Sequence, residues 1–392
     1  MQPDSFRMIR PSSACRRRRC AGSAMMEALH PETTVNPDAE EGTASHEIAA
    51  RMVYSLARAG VGFPRAEDIV GATAENGVVW AQESYDGAKM YAEVVAETMH
   101  ADGCFAPHIE EAVDISTIHP DLWGTPDCWL FAESVLTIDD YKFGHLVVEA
   151  YENDQLIEYA AGILDRISTE LGIPLGVLDQ QITVVMRITQ PRAYHRLGPV
   201  RRWTIKASDL RGYINQLKAI EAEATGPNPS TCATPEGCRD CSARHACETL
   251  QHATMSSIAY IGKPTPTPLD GHSLGLELNL IAEAKGLIDA RWTGLAAQAE
   301  GAIRNGDTTP GWALEPGRKH QAWTAPVADV LATGDLLGID LRKPVEPVTP
   351  KQAIAKGIDE AVISAYSKTP AGSLRLVPST KTTAHAVFRR IK

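Results

Sequence analysis

The chain has 392 residues, 44% of them hydrophobic and 22% charged, enough for one large core or two domains and unlike a disordered or low-complexity polypeptide. Its 38 Lys and Arg against 49 Asp and Glu leave a formal charge of −11, so a nucleic-acid partner would have to meet a local basic groove rather than a basic molecule. No apolar run approaches the ~20 residues of a membrane span. No apolar segment follows the basic cluster Arg16–Arg19, so a cytoplasmic protein without a membrane partner is expected.

Residues 1–40 read as loop, with Arg16–Arg19 as a solvated tail or a phosphate contact and Cys20-Ala21-Gly22-Ser23 as the start of an ordered turn. A helix is predicted over 41–60, with Ile48, Ala49, Met52, Val53 and Leu56 as its apolar face, Thr43 or Ser45 as cap and His46 in its first turn. A second helix runs over 83–100, with Tyr91, Val94, Val95 and Met99 inward. Residues 108–115 read as a strand carrying Glu110 and Glu111.

The stretch from Trp123 to Gly162 is the most informative. Cys128–Ala132 and Val135–Tyr141 are apolar runs separated by Glu133-Ser134, which predicts a hairpin. Side chains alternate along a strand, so Asp140 and Lys142 share a face, and a hairpin brings Asp127 towards it. Two carboxylates beside an ammonium suit a divalent metal with a water at its side. Gln155 and Tyr159, four apart on the next helix, share a face that can reach the same cleft.

Strands follow at 181–188 and 199–205, then a helix over 206–224 with Ser208 as cap. Arg187, Arg192, Arg196, Arg201 and Arg202, with Tyr194 and Trp203 among them, are the residue types of a groove that holds a phosphate backbone and stacks bases. Of the eight cysteines, Cys104 and Cys128 lie in apolar surroundings and read as buried thiols. Cys238, Cys241 and Cys247 have the spacing C-x2-C-x5-C of a metal knuckle, and a local fourth ligand, Cys232, would make a zinc site. A linker is expected over 251–270, Pro- and Thr-rich from 262. A long helix follows over 274–305, then a short helix from Thr349-Pro350 to Ala355 and a basic tail. No G-x-x-x-x-G-K-[ST] occurs, so no Walker-type ATPase is expected.

Pro126-Asp127, Asp140-Tyr141-Lys142 and the run Gln155-Leu156-Ile157-Glu158-Tyr159, in this order and spacing, resemble the PD-(D/E)XK nucleases, and within them the RecB-like branch. The resemblance implies a restriction-endonuclease-like α/β core over residues 1–250, a central mixed β-sheet flanked by helices, with a helical accessory extension over 271–392. It implies Mg²⁺ or Mn²⁺ held by His46, Asp127, Asp140 and the Tyr141 carbonyl, with Glu110 as a further carboxylate. Lys142 would orient or activate the water, and Gln155 and Tyr159 would position the strand. Cys20 ahead of His46, with Cys238, Cys241 and Cys247, resembles the layout that holds a [4Fe–4S] cluster in the iron–sulfur subset of these nucleases, Cys232 being the alternative ligand. Similar chains are commonly phage- or prophage-encoded. The function implied is DNA hydrolysis, most simply from an end during recombination, beside a single-strand annealing protein or a helicase. The competing expectation is a DNA-binding or assembly module that keeps the fold without catalysis.

Overall fold

A computed structural model describes residues 9–31, 36–57, 62–101, 103, 106–261 and 269–315, with 332, 335, 336 and 362. The chain divides into two units, Met1–Leu314 and Glu315–Lys392, and nearly all the described residues belong to the first. Cys104, the short helix expected at 349–355, the linker residues 262–268 and the basic tail lie outside the described residues.

The centre is a five-stranded mixed sheet in the order β1-β4-β5-β6-β7. Its strands are β1 (His108–Ile109), β4 (Cys128–Ala132), β5 (Val135–Tyr141), β6 (Thr183–Thr189) and β7 (Val200–Lys206). β4 and β5 form the predicted hairpin, with Phe131 opposite Leu136. β5 and β6 run parallel, Ile138 opposite Met186 and Asp140 opposite Ile188, so a crossover has to join them. That crossover contains α6 (Asp154–Leu171) and α7 (Leu175–Gln181). β6 and β7 are antiparallel. A two-stranded ribbon, β2 (Val113–Asp114) with β3 (Trp123–Gly124), completes the β-structure among the described residues.

Alternation along β5 divides the molecule into two cores. Leu136 and Ile138 face α6 and α8 (Ala207–Ala224) and pack with Leu156, Ile163, Leu210 and Ile214. On the other side, Tyr141 joins Cys128 and Leu130 against α3 (Pro37–Ala57) and α5 (Gln82–Ala101), where Ile48, Met52, Tyr91 and Val95 are buried. A short α4 (Ala66–Ile69) leans on α5. α6 has a complete set of end signals: the Asn153 side chain accepts the Leu156 N–H, and Gly172 closes the helix at φ 65°.

Several expectations are corrected. α3 begins at Pro37, so His46 lies well inside the helix. Thr43 bonds the Ala39 carbonyl within α3, and Ser45 is buried against Tyr141, so neither caps it. The strand expected over 108–115 breaks at Glu110, whose φ of +48° turns the chain between β1 and β2. α8 has Lys206, not Ser208, at its cap position and no side-chain cap bond. Residues 251–261 are not linker: they lie in α10 (Glu248–Ile261). With α9 (Pro235–Arg239) and the 3-10 turn Ser242–His245, α10 packs against the long α11 (Gly271–Arg304), which Asp270 caps.

The largest correction concerns residues 11–29. They form a 3-10 turn (Pro11–Ser13), α1 (Ala14–Arg19) and α2 (Ser23–Leu29). Arg17 is 1% exposed, with its Nε 2.6 Å from Glu221 Oε2 on α8 and a terminal nitrogen 3.3 Å from Glu158 Oε1 on α6. Arg18 holds Asp154 at 2.6 Å, and Arg16 pairs with Glu27. Arg17 and Arg18 therefore clamp α1 onto α6 and α8, and the segment is an ordered helix rather than a tail, with Arg19 exposed and bonded to the Cys15 carbonyl. One guanidinium faces two carboxylates, so burial holds the Glu158 carboxyl well above the ordinary range; the charge of Arg17 opposes that and the charge of Glu221 reinforces it. Removing one partner of a buried charge set costs about 3–5 kcal/mol. Arg17→Met should lower unfolding stability by about that amount, read as the midpoint of urea denaturation. A wild-type midpoint would show that the clamp does not hold the N-terminal arm.

Candidate functional site

Asp127 and Asp140 come together because one precedes β4 and the other ends β5, and the hairpin closes them onto the α6 side of the sheet. Asp127 Oδ2 accepts the Tyr141 N–H at 2.6 Å, and its Oδ1 lies 3.2 Å from His46 Nδ1. Lys142 Nζ sits 3.0 Å from Asp140 Oδ2 and donates to Gln155 Oε1 at 3.1 Å. The Gln155 amide nitrogen returns a bond of 3.1 Å to Asp140 Oδ1. Tyr159, one turn further along α6, donates to the Thr125 carbonyl at 3.1 Å and takes a weaker contact of 3.4 Å from Gln155. Gly124 makes room for this ring: a Cβ there would lie 2.6 Å from Tyr159 Cε1 and 2.7 Å from Pro11 Cγ.

Glu110 completes the group. Single ligand atoms of His46, Glu110 and Asp127 all lie within 4.8 Å of one another. The Glu110 N–H bonds the Asp127 carbonyl at 3.1 Å, and the left-handed backbone at Glu110 is the local distortion that brings it there. His46 reaches the site from α3, where Ser45 fixes the neighbouring Tyr141 hydroxyl at 2.9 Å and the His46 and Tyr141 rings are 5.2 Å apart.

The electrostatics follow from acidic groups crowded in a partly dehydrated cleft. Loss of solvent pushes Asp140 up to about 6, Lys142 pulling it down and Asp127 pushing it further. Loss of solvent, then Asp127, pushes Glu110 up to about 7. Asp127 goes the other way: burial raises it, but His46, Lys142 and the Tyr141 N–H together bring it below the ordinary carboxylate range. Burial opposes the charged form of Lys142, yet Asp140 and Asp127 hold its amine above the usual lysine range, so it remains an ammonium donor. Three carboxylates and an imidazole crowded in this way could hold a hard divalent cation, which would relieve their mutual repulsion.

The basic groove is only partly present. Arg187, half-buried, makes a bidentate pair with buried Asp139 at 2.6 and 2.8 Å, on the opposite face of β5 from Asp140. Arg201 is 3% exposed and bonds the Val148 carbonyl at 2.7 Å and Gln190 at 2.6 Å. Arg192 pairs with Glu41 at 2.6 Å and lies over the Phe143 ring at 4.5 Å. These three are internal struts, against expectation. Arg196 and Arg202 are exposed, as is Tyr194. Sequence reasoning could not separate the two sets, because an arginine in a strand looks the same whether its partner is a phosphate or a buried carboxylate. It also missed Arg17, Arg18, Asp154 and Glu158. The signal was there: an acid at Glu158 stands beside the apolar stripe of α6.

The cysteines form a second site. Cys20, Cys232, Cys238, Cys241 and Cys247 border one cavity, between the arm and the α9–α10 region. Gly22 lets the arm approach: its N–H bonds the Ser230 carbonyl at 2.7 Å, and a Cβ would lie 2.6 Å from Thr231. The Cys232 N–H points at Cys20 Sγ, 3.3 Å away across 212 residues. Burial pushes the Cys238 thiol up to about 11 and Cys241 up to about 12, so ionising them needs a cation alongside. A tetrahedral zinc with bonds of about 2.3 Å needs its sulfurs about 3.8 Å apart. Among the described residues no three of these sulfurs lie within 4.8 Å of one another. Thiolates in this number suit zinc or an iron–sulfur cluster by their chemistry. Cys128 is fully buried in the α3–α5 core, away from this site.

No helix among the described residues is long and apolar enough to cross a membrane. Residues 8–383 match the model of a family described as "Protein of unknown function (DUF2800)". That match covers nearly the whole chain, and the protein belongs to the DUF2800 family.

Proposed function

We propose that the chain is a metal-dependent DNA nuclease with a restriction-endonuclease-like, PD-(D/E)XK core. The observation that carries the reading is the convergence of Asp127, Asp140, Lys142 and Gln155 on one side of the β4–β5 hairpin, with His46 and Glu110 at its rim. A buried carboxylate can be satisfied by an ammonium and an amide for structure alone; what favours catalysis is that a second carboxylate, Asp127, an imidazole and Glu110 meet at the same place. His46, Asp127, Asp140 and the Tyr141 carbonyl, with Glu110, would hold Mg²⁺ or Mn²⁺, which when bound supplies charge neutralisation at the phosphoryl oxygens and a more acidic water. Lys142, held beside Asp140 and Gln155, orients or activates the attacking water. Gln155 fixes Lys142 and Asp140 relative to each other, and Tyr159 seats that part of α6 on the Thr125 carbonyl. Tyr194, Arg196 and Arg202 remain for DNA contact. The resemblance in its motifs makes degradation from a strand end the mode we propose, with an annealing protein or helicase as partner.

We also read the cysteine cavity as the seat of a structural [4Fe–4S] cluster, ligated by Cys20, Cys238, Cys241 and Cys247 with Cys232 adjoining. Phosphodiester hydrolysis moves no electrons, so such a cluster serves by closing the arm onto the α9–α10 region.

Two experiments test these readings. Protein purified without oxygen, given Mg²⁺ or Mn²⁺, should degrade linear end-labelled DNA and spare circles, and Lys142→Ala should slow it by at least ~100-fold. Equal loss of substrate with both proteins would mean a contaminant, and DNA binding without hydrolysis would leave a binding module. The same preparation should be brown with a broad visible absorbance, which Cys241→Ser should bleach while lowering the unfolding midpoint. A colourless wild type carrying zinc would overturn the cluster.

A further inference from the structure

A second concavity lies beyond the cysteine site, between the C-terminal end of α2, the 3-10 turn Ser242–His245 and the C-terminal half of α11. Its volume is about 470 Å³, within the range of small-ligand pockets. Gly294, Ala297 and Gly301 line one helical face of α11, so the wall recedes where larger side chains would fill it. The polar lining is His30, Ser242, Arg244, His245, Gln298 and Asn305. In a chain of net charge −11, no side chain lining this cavity among the described residues is acidic. The acids near it on the two helices that wall it, Glu27 and Glu300, are already engaged by Arg16 and Arg304.

Arg244 is the decisive residue. One of its terminal nitrogens donates to the Cys241 carbonyl at 2.7 Å, but its Nε is buried without a hydrogen-bond partner. It makes no ion pair among the described residues. A half-buried guanidinium lacking a carboxylate carries a desolvation cost that only an anion offsets well. The two imidazoles beside it are held edge-on, ring centroids 5.4 Å apart, and His245 Nδ1 is anchored 3.0 Å from the Ser242 carbonyl.

We propose that this cavity binds a phosphate monoester of up to nucleotide size, with Arg244 meeting the phosphate and Gln298 and Asn305 donating from α11. The shared chemistry is a terminal phosphate, from a free nucleotide or from the end of a DNA strand. The proposal does not rest on the nuclease reading, because the cavity is lined by none of the residues assigned to the metal site.

The test is calorimetric titration of the full chain, purified without oxygen and with no added Mg²⁺ or Mn²⁺, with inorganic phosphate, a deoxynucleoside 5′-monophosphate, and a hexanucleotide with a 5′-phosphate or a 5′-hydroxyl. Arg244 also borders the cysteine cavity, so the diagnostic variant is Gln298→Glu, an exposed α11 position where a carboxylate opposes the anion without disturbing the core. Phosphorylated probes should bind, the hydroxyl forms at least tenfold more weakly, and Gln298→Glu should weaken the phosphorylated probes at least tenfold. Binding of the monophosphate but not of the phosphorylated hexanucleotide assigns the site to free nucleotides, and preference for the hexanucleotide assigns it to strand ends. No binding of any probe, equal affinity for phosphate and hydroxyl forms, or binding that Gln298→Glu leaves unchanged would overturn the proposal.

Discussion

The contact on which the rest depends is that of Arg17 with Glu158 and Glu221. Three ionisable groups from three helices are removed from water together, and one cation serves two acids. Such a set is stable only when all three are in place, because any one alone would be a bare charge in a low-dielectric interior. It ties the position of α1 to α6 and α8. Since Gln155 lies nearly one turn before Glu158 on α6 and Tyr159 directly follows it, the clamp also fixes the height at which they meet the sheet. Arg18 at Asp154 repeats the tie at the first turn of α6.

Adjacent residues on β5 show how strictly the pleat sorts function. Asp139 and Asp140 are both nearly inaccessible, yet Asp139 spends its charge on Arg187 and holds β5 to β6, while Asp140 faces Lys142 and Gln155. A register slip of one residue would exchange their faces and carry the rest of β5 to the wrong side of the sheet with them. The parallel pairing of β5 with β6, over seven residue pairs, guards against that slip.

Local patterns carried much of this into the sequence. The β4–β5 hairpin, the α6 motif and the cysteine spacing are short-range, so the strand bounds 128–132 and 135–141 could be read directly. What stayed hidden is long-range. Nothing local to Arg17 says that its partners lie 141 and 204 residues away, and nothing local to Arg187 or Arg201 says that they point inward. The break at Glu110 was hidden too, since an isolated positive φ in a polar strand leaves no periodic trace. Thr43 and Ser45 looked like caps because their residue types suit the role. Pro37, six residues earlier, in fact opens the helix, so tertiary contact outweighed propensity.

The span of the cysteine site sets an order on synthesis. Cys20 leaves the ribosome 212 residues before Cys232, roughly 10 to 40 s earlier at a synthesis rate of ~5–20 residues per second. The β4–β5–α6 segment and most of the sheet emerge in that interval and can pack from neighbouring contacts. The arm cannot, because Glu221 on α8 and the α9–α10 cysteines are the surfaces that receive it. Until they emerge, its thiols and the Arg17 guanidinium lack their partners, so the first segment made waits for α8 and the α9–α10 region before it can take its place.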